Sequence, residues 1–444
     1  MTRPKFLPVA VLVFLVALPL WHALIVHNWK VFALACIPEA ATGLENVPTA
    51  SFDNDRCIDG MHGADVHEYY NYFSAYPIDA AGLDAAFSGV RRYFDILGTE
   101  YIKRPAFGPI SAALGYGWHT LTGIGFPGWM FDILALYAAL AVALAYMVFR
   151  RAGAGLAVSL AAAGVAATSY AWLPVLSIPE SYSLTNLATM AVVYSAVALL
   201  LTQERDGRVS AGRLIGHAAV TVVASLLYLP NFGGMAFLLA VRNPGSGGLA
   251  GRIAIAAVAL FLVLSPSLFL YVISQGLYGF NSQLAYAEEW GTPLNLLHPA
   301  TWLNSLAAFS VFAIVPASFP LIQVGGAVDW PRFAADPRLW PLFAIGLALV
   351  ALALRVIVRG WRPGSICFAI WYAALVAFHT FFNPNEVLLY SPVPFAVVFG
   401  WLAFSLRGSL EAPGLLRGPA LTLGTALVLV AAANLYIVVG YGGS

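Results

Sequence analysis

Residues 129–149 read WMFDILALYAALAVALAYMVF, and Arg150 and Arg151 follow at once. Asp132 is the one charge inside this stretch. A helix rises about 1.5 Å per residue, so about 20 apolar residues cross a hydrocarbon layer of about 30 Å. A run of this length that stops at two arginines reads as a spanning helix with its basic end in the cytoplasm. The same pattern recurs on both sides of it. Before it lies Phe6–Ile25. After it come Leu156–Leu176, Ser183–Leu201, Ile215–Leu229, Asn231–Val241, Ile253–Ile273, Leu303–Ile322, Leu339–Val358, Ile366–Phe381, Phe395–Leu406 and Pro419–Val439.

Composition agrees. Of 444 residues, 60% are hydrophobic and 10% charged, with a mean hydropathy of +0.80. A soluble domain carries about 25% charged residues. So few charges could not cover the outside of a water-soluble fold of this size. Disordered chains are poor in apolar residues, which excludes that class too. A net charge of +1 provides no field for nucleic acid. The expected fold is all-α, a single polytopic transmembrane helix bundle over residues 1–444, with about 10 to 12 spans. Two spans are doubtful on sequence. Asn231–Val241 is short unless it continues a bent helix from Ile215, and Leu303–Ile322 contains Pro316 and Pro320.

Arg3 and Lys5 precede the first run and place the N-terminus in the cytoplasm. That run lacks a clear small-residue cleavage site, so it reads as a retained helix rather than a signal peptide. Residues 27–104 then form the first outer loop. This segment holds 11 of the 21 acidic residues and 6 of the 22 basic ones, a local net charge of −5. Within it, Phe87, Val90, Phe94 and Leu97 recur at helical spacing, as expected of a helix lying along the bilayer surface. Residues 105–124, interrupted by Gly108, Pro109, Gly115 and Gly117, suit a spanning or interfacial helix. The later basic clusters at 150–151, 205–213, 355–362 and 407–417 belong in the cytoplasm. The turns around Pro179–Tyr182 and Asn383–Pro394 then fall outside.

The outer segments carry the residues with chemical potential. Asp65 and Glu68 stand three apart in the run 63–73, so on a helix their carboxylates share a face. A carboxylate at the mouth of an apolar cavity gains proton affinity by desolvation and can serve as a general base. Tyr69 and Tyr70, with Tyr72, can stack on a sugar ring. The same residues would also suit a solvated helix start with interfacial aromatics. Lys103 and Arg104 meet the membrane at the end of the loop, where they suit a lipid-linked phosphate or an ordinary interfacial anchor. Glu180 directly follows Pro179 and Glu386 lies two residues after Pro384, with Tyr182 and Tyr390 close behind, at the outer edge of apolar helices. Ionisable groups at that depth are costly and usually have a task, although Glu180 also suits a first helical turn.

Metal signals are weak. Asp53 and Asp55 form an Asp-x-Asp, a pattern that can bridge Mg²⁺ or Mn²⁺ to a diphosphate but is frequent by chance in an acidic loop. His62, His67, Asp65 and Cys57 fit no zinc spacing. The cofactor expectation is therefore none, or such a divalent ion. Cys36 and Cys57 share the outer loop, where a structural disulfide is allowed. His217, His298 and His379 stand alone and read as packing residues. Tyr228-Leu229-Pro230-Asn231 marks a helix break, and the run Ala285–Gly291 suits part of a groove.

The order of these features resembles the GT-C superfamily of polytopic glycosyltransferases that use polyprenyl-phosphate sugars. The protein O-mannosyltransferase and aminoarabinose-transferase branch is the most similar. The resemblance rests on a first helix, a long outer loop with the Asp65 motif, the Lys103-Arg104-Pro105 segment, the Ser177–Tyr182 turn and the Asn385–Tyr390 turn. It implies a GT-C-like bundle facing its active site outward. It further implies Asp65 as the base that deprotonates an acceptor hydroxyl, with inversion at the anomeric carbon. The family often has adjacent Asp-Glu where this chain spaces Asp65 and Glu68, which leaves Glu68 as the alternative base. Lys103 and Arg104 would hold the donor phosphate, helped by Arg91 or Arg92, and Glu180, Tyr182, Glu386 and Tyr390 would shape the pocket. The implied partners are a lipid-linked sugar donor, a glycan, lipid or protein acceptor and the membrane lipids. The implied location is a bacterial inner membrane. A transporter or flippase of lipid-linked sugars is the main alternative reading, and a polysaccharide polymerase or ligase is another. A transporter calls for charges near the midplane, and Asp132 and Arg355 are the charges placed inside apolar runs.

Overall fold

The computed structural model describes residues 7–36, 107–125, 128–177, 181–241, 248–274, 293–317, 327–382, 384, 387–409 and 420–440. All regular elements among them are helical. Those that build the bundle are α1 (Leu7–Cys36), α2 (Phe107–Thr122), α3 (Gly128–Arg151), α4 (Leu156–Thr168), α5 (Tyr182–Asp206) and α6 (Ala211–Leu227). They continue with α7 (Gly248–Ser274), α8 (Pro299–Phe309), α9 (Leu339–Arg359), α10 (Ser365–Phe381), α11 (Pro392–Ser409) and α12 (Ala420–Gly440).

Among the described residues, five helical stretches are long and apolar enough to cross a membrane: Leu7–Asn28, Gly128–Arg151, Tyr182–Asp206, Gly248–Ser265 and Leu339–Arg359. Shorter apolar helices fill the space between them, including Leu156–Thr168, Ala211–Leu227, Leu229–Ala240 and Ser365–Phe381. The chain is a multi-pass membrane protein built as a helical bundle.

Helices α3 and α5 form its centre. Trp129, Met130, Leu134, Ala138 and Tyr146 of α3 are fully buried, as are Met190, Val193 and Val197 of α5. The peripheral helices turn apolar side chains outward instead. Leu12, Leu15, Leu20, Val258, Phe261 and Val358 are exposed, as expected of helices whose outer face meets lipid tails.

The bundle has two distinct ends. At one, Arg150 and Arg151 close α3, and Gly207 closes α5. Gly207 adopts φ 66°, the left-handed conformation that glycine reaches without a Cβ clash, and its N–H donates to the Gln203 carbonyl. Arg213 of α6 donates to the Thr202 hydroxyl of α5 at 2.6 Å. Arg362 donates to Glu204 at 2.8 Å. At the other end, Asn28 of α1 donates to the Ser177 hydroxyl at 2.6 Å, and His27 lies 3.2 Å from the Val439 carbonyl of α12.

Three helices differ from the sequence expectation, and two of the differences share a physical reason. The first helix continues past His27 as far as Cys36, into the stretch assigned to the outer loop. The run 156–176 is not one helix. It stops at Thr168 and resumes as the single turn Leu173–Leu176. The run 303–322 ends its helix at Phe309, well before Pro316. The last two breaks satisfy each other. Tyr170 N–H donates to the Ile314 carbonyl at 3.3 Å and Ala171 N–H to Ala313 at 2.9 Å. The buried Asn434 amide of α12 donates to both Thr168 and Ile314 carbonyls, at 2.7 and 2.8 Å. Unwound backbone survives at membrane depth only when protein groups replace the lost helical bonds.

The doubtful segment after Ile215 resolves as a reversal. Helix α6 ends at Tyr228, whose backbone is extended (φ −163°), and residues Leu229–Met235 return as a 3-10 helix, followed by Ala236–Ala240. Gly234 comes level with His217, which bonds its carbonyl at 2.9 Å. Asn231 donates to the Ala224 carbonyl at 3.1 Å and accepts from Thr189 at 3.0 Å. Trp371 donates to the Pro230 carbonyl at 3.1 Å. The return segment is thus a crossing partner of α6 and not its bent continuation.

Candidate functional site

Asp65, Glu68, Tyr69, Tyr70, Lys103, Arg104, Glu180 and Glu386 lie outside the described residues, as do Asp53, Asp55, Arg91, Arg92, Cys57 and the Cys36 side chain. Tyr182 and Tyr390 are described, and the fold brings them together.

Tyr182 opens α5, two residues after Glu180 in the sequence. Tyr390 ends the single buried turn Val387–Tyr390, directly before Pro392 starts α11. Proline at a first helical turn fits because its missing N–H would have no helical partner there. The two rings meet edge to face with centroids 6.0 Å apart and planes at 72°. Both are buried. This geometry sets the positive edge of one ring on the negative face of the other.

Tyr390 continues the cluster inward. Its ring stacks on His379 at 4.5 Å with planes at 20°. His379 is fully buried near the C-terminal end of α10, and its Nε2 pairs with the Tyr228 hydroxyl at the α6 break. Phe309, at the end of α8, and Phe378 set their edges on the His379 ring at 5.5 and 5.1 Å. The His379 Nδ1 has no hydrogen-bond partner. Beside it, Thr380 donates to the buried Ser305 hydroxyl at 3.0 Å. Four helix termini therefore meet in one aromatic column, Tyr182–Tyr390–His379–Tyr228. Chemically the column is a set of stacked rings and hydroxyls buried inside the bundle. It holds no carboxylate of its own.

A second polar group sits on α3. Asp132 accepts from Trp118 of α2 at 2.8 Å and lies 3.2 Å from Nε2 of His22 on α1. Asp132 belongs to the first turns of α3, and Arg355 to the last turns of α9. Neither lies at the middle of its helix.

Among the described residues no group of three or more His, Cys, Asp or Glu could hold a metal ion. Cys367 is free and buried. His217 is a packing residue as expected, bonded on both nitrogens to Ser195 and Gly234. His379 is the participant that sequence reasoning passed over. Its signal was position, because it ends the helix that feeds the Asn383–Tyr390 turn.

No family model matches the chain, and no curated protein matches it. Solved structures do. ArnT from Cupriavidus metallidurans bound to undecaprenyl phosphate is 16% identical with a TM-score of 0.40, over 75% of this chain and 65% of that one. The archaeal oligosaccharyltransferase AglB from Archaeoglobus fulgidus, in complex with an inhibitory peptide and a dolichol-phosphate, is 13% identical with a TM-score of 0.43. It covers 95% of this chain and 55% of its own. The chain therefore spans less than two thirds of the length of each of these two proteins.

Proposed function

We propose that the protein is a GT-C-type membrane glycosyltransferase that moves a sugar from a polyprenyl-phosphate donor to an acceptor hydroxyl. The observation that carries this reading is the contact of Tyr182 with Tyr390. The two turns singled out in the sequence as pocket walls come from distant parts of the chain, and their tyrosines touch. Glu180 is two residues before Tyr182 and Glu386 four before Tyr390, so both glutamates are tethered to this contact.

In this reading Asp65, with Glu68 as the alternative, removes the proton from the acceptor oxygen as that oxygen attacks the anomeric carbon. The bond from the anomeric carbon to the phosphate oxygen breaks, and the lipid phosphate leaves with its negative charge. Lys103 and Arg104 stabilise that charge, Arg by paired N–H donors. The buried aromatic column holds together the two chain segments that would wall the pocket. In this reading the active end is the one remote from the arginines, and the positive-inside rule supports an outward orientation for it. Asp132 and Arg355 lie near helix ends, which supports the enzyme over a transporter that needs charges at the midplane.

The test is transfer by purified chain in vesicles loaded with candidate lipid-phosphate sugars. Undecaprenyl phosphate and dolichol phosphate, the lipids in the two matched structures, are the first carriers to try. Asp65→Asn should abolish transfer while insertion stays normal. Full turnover in Asp65→Asn and loss in Glu68→Gln moves the base to Glu68. Full turnover in both overturns the proposed chemistry.

A further inference from the structure

At the end opposite Tyr182 a cavity of about 270 Å³ opens between the last turns of α3 and α5. It is lined by Arg150, Arg151, Gly153, Leu201, Thr202 and Arg205. Arg150 donates to the Ala154 carbonyl just beyond the end of α3, which fixes its guanidinium at the cavity wall, and its Nε is buried without a partner. Thr202 accepts from Arg213, which brings a fourth arginine beside the wall. The acidic groups described at this end are already engaged. Asp206 holds Arg205 through two bonds of 2.7 and 2.8 Å, and Glu204 holds Arg362. Three arginines line the cavity and Arg213 stands beside it, while Asp206 is committed to Arg205 and Glu204 to Arg362, so the cavity is cationic.

Its size and place narrow the ligand. Pockets for drug-sized molecules measure about 300–1,000 Å³, so this one suits a headgroup better than a sugar nucleotide. It lies where spanning helices end, at the level of lipid headgroups. Leu156 and Leu160 of the next helix are exposed, as a surface beside acyl chains would be. We propose that this cavity binds the phosphate of an anionic phospholipid headgroup. Basic pockets between spanning helices recognise such headgroups by charge and by the paired N–H donors of arginine. The site is separate from the aromatic column and does not rest on the glycosyltransferase reading.

The full chain in nanodiscs of phosphatidylcholine and phosphatidylglycerol is moved to neutral detergent, and the retained lipid is counted by native mass spectrometry. Phosphatidylglycerol should remain bound and phosphatidylcholine should not. Arg151→Gln and Arg205→Gln should each lower retention about fivefold, from roughly 1 kcal/mol per basic side chain near the surface. Arg359→Gln, an exposed arginine outside the cavity, should leave it unchanged. Wild-type retention in both Arg151→Gln and Arg205→Gln, or equal loss in Arg359→Gln, overturns the site. Release of the lipid by inorganic phosphate shows a free-phosphate site and overturns the lipid assignment. Should the variants fail to fold, the wild type decides. Added phosphatidylglycerol should raise its thermal midpoint more than phosphatidylcholine does, and equal effects overturn the proposal.

Discussion

Tyr182 and Tyr390 touch edge to face at 6.0 Å, although one opens α5 and the other precedes α11. Behind them, His379 and Tyr228 extend the same column into the bundle. Each ring is held at a helix terminus, and the termini are fixed by the packing of α5 against α6 and α11 and of α10 against α11. The column is thus a junction of four chain segments, and its variants should report on both stability and the proposed site.

Tyr390→Ala removes a buried ring that contacts Tyr182 and His379. It should destabilise the protein by about 3–5 kcal/mol, the usual cost of deleting a large core aromatic. Tyr390→Phe keeps both ring contacts and should cost far less. Thermal denaturation in detergent compares the two, and equal midpoints would argue against the stack.

His379→Phe keeps the ring but loses the bond to the Tyr228 hydroxyl. The buried Tyr228 hydroxyl loses this partner, so the expected cost is about 1–3 kcal/mol. A larger loss would mean that the helix break at Tyr228 depends on this bond for its position.

Asn434→Leu should be among the most damaging single changes away from the site. The substitution removes the donor from two unwound carbonyls, Thr168 and Ile314. The Thr168 carbonyl loses this donor, at about 1–3 kcal/mol, while the Ile314 carbonyl keeps its longer bond from the Tyr170 N–H. Protease sensitivity near residues 168–172 and 310–315 should rise together, because one side chain serves both breaks.

Gly400 of α11 faces Val193 of α5, and a Cβ there would overlap that side chain. Gly400→Ala should therefore force the two helices apart, at about 1–3 kcal/mol for overpacking. Because α5 and α11 carry Tyr182 and Tyr390 at their starts, the same variant should weaken polyprenyl-phosphate binding. Unchanged binding would uncouple the helix spacing from the site.

The helices were legible in the sequence wherever an apolar run stood alone, as in 129–149, because run length and flanking arginines are local signals. The breaks at Thr168 and Phe309 were not, since nothing near either one shows that Asn434 will satisfy the freed carbonyls. The reversal at Tyr228 was half legible. Pro230 announced a break, but only the bonds from His217, Asn231 and Trp371 decide that the chain turns back. Tyr182 and Tyr390 could be singled out in the sequence because each follows a glutamate that comes one or two residues after a proline, but that their rings meet is shown only by the fold. A lone histidine in an apolar helix looks like any packing residue, so His379 acquires its place only from Tyr228 and Tyr390.

The most direct test of the central claim is photo-cross-linking of undecaprenyl phosphate carrying a benzophenone near its phosphate, with the labelled peptides mapped by mass spectrometry. Label should fall on peptides containing Lys103 and Arg104 and on those containing Tyr182 and Tyr390, and excess unlabelled lipid should compete it away. Label confined to the arginine end, or spread evenly over lipid-facing helices, would contradict the account.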